Sequence, residues 1–243
     1  MKKNYNFGYT KVNPKQKTNL VQNVFSRVAS NYDTMNDLMS LGMHRLWKKR
    51  FIEIIDLKKG DIVIDVGSGS GDIANALMKT NLPSKIILLD LNKKMLDQGK
   101  SRFKNETNVD FVIGNAEKLD FQNNYFDKYT ISFCLRNITD YIKSIKEAYR
   151  VLKPGGKYCC LEFSSPNSSL VSNSYKKYKS RILPLLGEII AKDRNAYKYL
   201  SESIDMFPNQ DELNKKLLSC GFTNVKSINL FNGIVAIHTG YKI

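Results

Sequence analysis

Ile62-Val63-Ile64-Asp65-Val66-Gly67-Ser68-Gly69-Ser70-Gly71-Asp72 decides the fold. A short β-branched run ends on an acid, three glycines follow at alternate positions, and a segment with helical spacing starts at once. The sequence predicts a strand, a tight turn and a helix, the opening of a βαβ unit. Glycines lack Cβ atoms, so they accept positive φ and let a ligand lie close to the backbone. The helix start behind them offers unpaired N–H groups to an anion. The turn alone is a weak signal, because dinucleotide-binding folds also begin with a glycine-rich turn.

Outward from this turn the same alternation continues. Strands are expected at 62–65, 85–90, 109–113, 125–133, 157–163, 223–229 and 234–241, and helices at 72–79, 93–103, 141–152 and 210–219. That pattern is an α/β fold, a doubly wound, seven-stranded, mostly parallel sheet in a single domain of residues 1–243. Ahead of it, Leu20, Val21, Val24, Val28 and Tyr32, then Leu46, Trp47, Phe51, Ile54 and Ile55, recur at helical spacing, so 17–55 reads as helical within an N-terminal cap of residues 1–57. Residues 164–208 separate the fifth strand from the helix that should follow it, and a connection of that length is usually functional. Within it Tyr175, Tyr178, Ile182 and Leu185 share one helical face, with Lys176, Lys177, Lys179 and Arg181 between them and Pro184 expected to kink or end the helix. This basic amphipathic insertion reads either as a lid packed on the domain or as a membrane-surface contact.

Bulk properties narrow the class. The 243 residues can bury a core without disulfides or metals. Hydrophobic residues make up 42%, and no apolar run approaches the ~18 residues of a membrane-spanning helix. The two early lysines have no apolar run behind them, so no secretory signal is expected and the chain is expected in the cytoplasm. Four cysteines, two isolated and two adjacent in one strand, form neither a disulfide framework nor a metal-ligand pattern, so no metal is expected. The net charge of +15 suggests an anionic partner, nucleic acid or phospholipid, although Lys and Asn are abundant throughout the chain.

Three features favour S-adenosylmethionine over NAD at the turn. The spacing is Gly-x-Gly-x-Gly, Asp65 precedes Gly67 by two residues, and Asp90 closes the second strand. A carboxylate has acceptor sites on both oxygens, so Asp90 can take both ribose hydroxyls; its plainer reading is a helix N-cap. Asn115 can donate and accept toward a base edge, and small Ala116 leaves room for a ring; Asn115 also reads as a turn former. Ser132, ending the fourth strand, lies at the same rim, where its hydroxyl could equally satisfy the backbone. Gly67 and Ser70 complete the expected cofactor set.

At these residues the chain resembles the C-methyltransferases of ubiquinone and menaquinone biosynthesis, class I S-adenosylmethionine-dependent enzymes of Rossmann-like fold. The resemblance rests on Phe25 to Asp33, on Tyr32-Asp33-x-Met35-Asn36-Asp37, on Gly42 to Lys48, on Ser132-Phe133-Cys134-Leu135-Arg136-Asn137, on Arg150 to Gly156 and on Val235 to Lys242. It covers nearly the full chain. Two departures are small: the turn is Val-Gly-Ser-Gly-Ser-Gly where many relatives have Ala-Gly-Gly-Thr-Gly, and Cys134 stands where Gly is frequent. The resemblance implies methyl transfer to a ring carbon of a polyprenylated benzoquinol, 2-methoxy-6-polyprenyl-1,4-benzoquinol, or of demethylmenaquinol. It carries cofactor contacts to Ser70, Asp90, Asn115, Ala116 and Ser132.

Methylating an aromatic carbon needs electron density there, which loss of the neighbouring hydroxyl proton supplies. Arg136 is the candidate for stabilising the phenolate or polarising a water that acts as base, and Asn137 for orienting the ring. The plainer reading of the pair is a salt bridge and a helix cap. His44 and His238, the two histidines, are weaker candidates for the base. A polyprenyl tail would hold the substrate in a bilayer, so peripheral association at the inner face of the membrane is expected through the cap or the insertion. A homodimer or an assembly of quinone-synthesis enzymes stays open as a partner. Rival readings are a methyltransferase for another small molecule or for RNA, an NAD-dependent oxidoreductase and a non-catalytic scaffold. A nucleic-acid substrate lacks support, for no catalytic Asn-Pro-Pro-Tyr segment and no appended binding module are present.

Overall fold

In a computed structural model the described residues are 4–29, 36–37, 40, 42–191 and 193–243. The chain starts with a hairpin that the sequence pattern did not announce, β1 (Tyr5–Phe7) and β2 (Thr10–Val12). Asn13 then caps α1 (Pro14–Val28) reciprocally with Gln16, and Pro14 occupies the first turn, where no N–H is needed. Of the stretch 17–55, expected to be helical, the described residues include α1 and α2 (His44–Ile55), and Gly42 at φ 76 turns the chain just before α2. Tyr32 to Met35, four of the six positions of the Tyr32–Asp37 motif, lie outside the described residues.

The glycine turn joins β3 (Ile62–Val66) to α3 (Asp72–Met78), with Gly71 at φ 82 in the cap position. Next come β4 (Lys85–Asp90), α4 (Lys93–Lys100) extended by a 3-10 turn at Ser101–Phe103, β5 (Val109–Ile113), β6 (Phe126–Ser132), α5 (Tyr141–Val151) and β7 (Leu152–Phe163). Three insertion helices, α6 (Ser169–Lys177), α7 (Leu183–Ala191) and α8 (Arg194–Asp205), precede α9 (Gln210–Ser219), β8 (Thr223–Leu230) and β9 (Val235–Tyr241). The seven strands run β5-β4-β3-β6-β7-β9-β8, with β9 antiparallel to both neighbours and the others parallel. Strand order reverses between β3 and β6, and the crevice beyond their carboxyl ends is where ligands bind in such sheets.

Both faces of the sheet are covered, so the central strands read as apolar runs without alternation. Ile86, Leu88 and Cys159 face one core with Phe51 and Leu77, while Ile87, Leu89 and Cys160 face the other with Tyr129 and Leu213. The adjacent cysteines do point to opposite faces, and all four cysteines are free.

Three local differences have physical causes. The fourth strand ends at Ser132, because Phe133 takes φ 52 and turns the chain into a 3-10 turn, Leu135–Asn137. The fifth strand starts at Leu152, five residues earlier than expected, since a bulge opposite Phe126 absorbs the Pro-Gly-Gly turn and Gly155 N donates to Lys242 O. Pro184 neither ends nor breaks the insertion helix. A π-turn at Tyr178–Ile182 precedes it and relieves the contact that the proline ring would make with the carbonyl four residues back. That wider turn also splits the expected apolar face: Tyr175 and Tyr178 are partly buried, whereas Ile182 and Leu185 are exposed. No helix among the described residues is long and apolar enough to cross a membrane.

Candidate active site

At the carboxyl ends of β3, β4, β5 and β6 lies a cleft of about 790 Å3, its open mouth included. Gly67, Asp90, Asn115, Ala116 and Ser132 all line it. Ser70 does not; it lines a smaller cavity with Asp65, Ser68 and Lys48, which adjoins the cleft at Gly67, Ser132 and Phe133. Asn137 lines the cleft, and Arg136 lines a second cavity that meets it at Thr139.

The glycine turn is held by its acid. Asp90 Oδ2 accepts from Gly69 N at 2.9 Å and Oδ1 from Asn92 N at 2.7 Å, so the carboxylate ties the turn to the end of β4. The N-cap of α4 is Asn92, whose side chain accepts from Met95 N, and not Asp90. Burial raises the pKa of Asp90 while those backbone donors oppose it. A Cβ on Gly67, already at φ 64, would stand 2.1 Å from Cys134 Sγ, so that position is closed to larger residues. Lys48 of α2 pairs with Asp72 at 2.7 Å and fixes the cap against the start of α3; Arg102 bonds the same carboxylate.

Several buried polar atoms around the turn have no partner: Asp65 Oδ2, Ser68 Oγ and Ser132 Oγ. Such atoms are costly in a folded protein unless something completes them. Asp65 Oδ1 accepts from the Thr130 hydroxyl at 2.8 Å, and burial pushes its carboxyl up to about 7. An unfilled acceptor beside unfilled hydroxyls and free helix-start N–H groups suits a ligand carrying both an ammonium and a carboxylate, which the amino-acid part of S-adenosylmethionine does. Asn115 does form a turn, its Oδ1 accepting from Glu117 N at 2.9 Å, which leaves its amide donors for a base edge.

Phe133 organises the end of the cleft beside Arg136 and Asn137. Its positive φ is unfavourable for an aromatic residue and needs support from its surroundings. Its carbonyl receives Arg136 Nη1 at 2.8 Å and Asn137 Nδ2 at 3.3 Å. Arg136 Nη1 also meets Glu162 Oε1 at 2.6 Å, with side chains 3% and 1% exposed, and the guanidinium lies 5.3 Å from the Phe163 ring centroid. The plainer reading of Arg136, a salt bridge, is therefore present in the structure. Burial raises the pKa of Glu162, against the Arg136 charge and two backbone donors. Asn137 Oδ1 accepts from the Tyr199 hydroxyl of α8 at 3.0 Å, so the insertion reaches the site. Asn137 is no helix cap; Asp140 caps α5 by accepting from Lys143 N.

Neither histidine lines any of these three cavities. His44 Nε2 lies 2.9 Å from Asp37 Oδ1, and His238 Nδ1 lies 2.9 Å from Asn214 Oδ1, where burial lowers its pKa to about 4. Residues the sequence reading did not single out for the site are Thr18, Gln22 and Phe25 of α1, and Lys17, whose Nζ donates to Ile138 O at 2.9 Å beside the second cavity. The helix itself was legible, but its spacing marked Leu20, Val21, Val24 and Val28, and nothing in it singled out these four as walls of a cleft. No cluster of metal-ligand type occurs among the described residues.

A family model described as the ubiE/COQ5 methyltransferase family matches residues 11–242. The ubiquinone/menaquinone biosynthesis C-methyltransferase UbiE of Rickettsia typhi is 48% identical over 247 residues, spanning 98% of this chain and 98% of its own. That of Hydrogenovibrio crunogenus is 44% identical, spanning 99% of this chain and 96% of its own. Among solved structures, a Thermotoga maritima S-adenosylmethionine-dependent methyltransferase, a possible histamine N-methyltransferase, superposes with TM-score 0.66 at 20% identity over 92% of this chain and 100% of that one. A Haemonchus contortus phosphoethanolamine N-methyltransferase 2 in complex with S-adenosylmethionine superposes with TM-score 0.62 at 18% identity over 80% of this chain and 52% of that one. At these identities the structural likeness speaks for the fold alone.

Proposed function

The chain belongs to the ubiE/COQ5 methyltransferase family and is an S-adenosylmethionine-dependent methyltransferase; from that premise we propose how it methylates a ring carbon of a polyprenylated quinol in ubiquinone or menaquinone synthesis. The observation that carries the reading is a cleft at the strand ends that gathers Gly67 and Gly69 of the glycine turn, Asp90, Asn115, Ala116, Ser132 and Asn137. When bound there, S-adenosylmethionine supplies an electrophilic methyl group.

Asp90 holds the ribose, Ala116 and Asn115 the adenine, and Asp65, Ser68, Ser70 and Ser132 the amino-acid end, completing the buried atoms that lack partners. Arg136 faces the second cavity with a fixed positive charge, and there it lowers the cost of ionising the quinol hydroxyl, which raises electron density at the neighbouring ring carbon. Asn137 lines the cleft, bonded to the Tyr199 hydroxyl of the second cavity's wall, and orients the ring. Glu162 is a positioning residue: it touches neither cavity, but its bond to Arg136 sets the direction of the guanidinium.

An isoprenoid tail gains roughly 0.8 kcal/mol per buried CH2 and stays in the bilayer, so the enzyme works at the membrane surface, from the cytoplasmic side. Expressing the chain in a strain that lacks the C-methylation step, and weighing its extracted quinones, tests the reading. Recovery of the methylated ubiquinone, menaquinone or both is expected, and identifies the acceptor. Persistence of the demethylated quinones alone, with the protein present and folded, contradicts it.

A further inference from the structure

Three large aliphatic side chains stand in solvent on the outer side of the insertion: Ile182, Leu185 and Ile189 are 48%, 53% and 66% exposed. Their spacing of three and four residues puts them on one stripe of the π-turn and α7. The inner side of the same helix is packed, with Leu183 1% exposed and Gly187 pressed so closely against the Tyr197 ring of α8 that no Cβ would fit. α7 is therefore anchored on one side and bare on the other, and the bare side still carries large aliphatic side chains.

We infer that this stripe docks on the surface of an anionic phospholipid bilayer. The charges beside it select that occupant. Lys177, Arg181, Leu185 and Ile189 follow one another at steps of four, so exposed cations lead directly into the apolar stripe, and exposed Lys176 adds a third. None of these three cations has a carboxylate partner among the described residues. Exposed Glu188, the acid on α7, is taken up by Arg194 at 3.2 Å. Unpaired cations flanking aliphatic side chains on an anchored helix match a bilayer interface, where the apolar groups enter the acyl boundary and the cations meet phosphates. A second copy of the chain fits less well, because three half-exposed side chains fall far short of the ~800 Å2 per partner that a stable interface buries. The stripe also lies one helix away from the reacting end, since α7 packs on α8 and α8 reaches Asn137 through Tyr199. A tail held in the membrane beneath α7 would thus enter near the second cavity; this last step rests on the proposed acceptor, whereas the docking itself does not.

Flotation of the purified full chain with vesicles tests the inference without any turnover. The chain is expected to float with phosphatidylcholine vesicles containing phosphatidylglycerol, and to bind those of phosphatidylcholine alone at least about tenfold more weakly, since each cation near an anionic surface contributes roughly fivefold. The triple variant Ile182→Ser, Leu185→Ser, Ile189→Ser should lose at least about tenfold of the binding. It should keep the wild-type melting temperature, its affinity for S-adenosylhomocysteine and its turnover of a tailless quinol. Equal flotation of wild type and triple variant overturns the inference. So does a wild-type dimer in solution that the triple variant converts to monomer. Flotation that persists while the quinone assay fails would sink the proposed acceptor and leave the docking face standing.

Discussion

Asp65 shows how one buried atom links sequence, stability and site. Its carboxyl is pushed up to about 7 by burial from a usual 3.8, with the Thr130 hydroxyl opposing. Between those values the folded protein keeps a proton that the unfolded chain has released, so this group's contribution to stability is lost as pH rises from about 4 to about 7. His238 does the reverse, because burial lowers it from 6.5 to about 4 and stability is lost as pH falls through that window. The two slopes oppose each other, so the difference between wild type and Asp65→Asn isolates the acid. Melting scans should show the variant gaining on wild type steadily from pH 4 to pH 7, and a pH-independent difference would disprove that Asp65 titrates there. Arg136→Ala should lower kcat well over tenfold, in line with loss of a fixed donor to a developing oxyanion, while calorimetry still detects S-adenosylhomocysteine binding. Because that change strands a buried Glu162, the double variant with Glu162→Gln serves as its folded control. Glu162→Gln alone keeps the packing but not the charge. It should lower kcat, leave the KM for S-adenosylmethionine unchanged and alter the pH profile of kcat, a split that a merely structural role would not give. Of the residues expected at the site, those whose chemistry is local to a strand end were legible: Gly67, Asp90, Ala116 and Ser132 line the cleft. The direction of Arg136 was not, since it depends on Glu162, which is 26 positions away in sequence.

At the level of elements, short β-rich runs place all seven strands: β3, β4, β6, β7 and β9 are mostly buried apolar runs, and the edge strands β5 and β8 carry β-branched residues with partial exposure. The hairpin β1–β2 escaped. Its strands are three residues each and largely polar, and the one local signal was Gly8, the first residue of a two-residue loop. What holds the hairpin is distant: Phe7 stacks on Tyr199 with centroids 4.1 Å apart, and the Tyr9 hydroxyl donates to Asp205 at 2.8 Å. Since Tyr199 also donates to Asn137, the hairpin supports the reacting end through α8. Phe7→Ala should therefore cost about 1–2 kcal/mol, less than the 3–5 of a fully buried Phe, and lower kcat more than it weakens S-adenosylhomocysteine binding. Denaturation and calorimetry on one preparation read both. A loss of stability with unchanged kcat would separate the hairpin from the site.

Over the whole molecule, the parallel sheet supplies a rim, the cap and hairpin wall it, and the insertion carries both a residue that reaches Asn137 and the exposed stripe of α7. The strongly basic composition then has a physical use at an anionic surface, although only the cations beside the stripe have a specific place in it. The central claim is that the methyl group arrives on ring carbon. Turnover with S-adenosylmethionine carrying a trideuterated methyl, followed by mass and proton spectra of the quinone, tests it most directly. The account predicts an intact trideuterated methyl bonded to a ring carbon, with the loss of one ring proton. A trideuterated methyl on quinol oxygen, or recovery of unlabelled quinol alone from protein that binds S-adenosylhomocysteine, would contradict it.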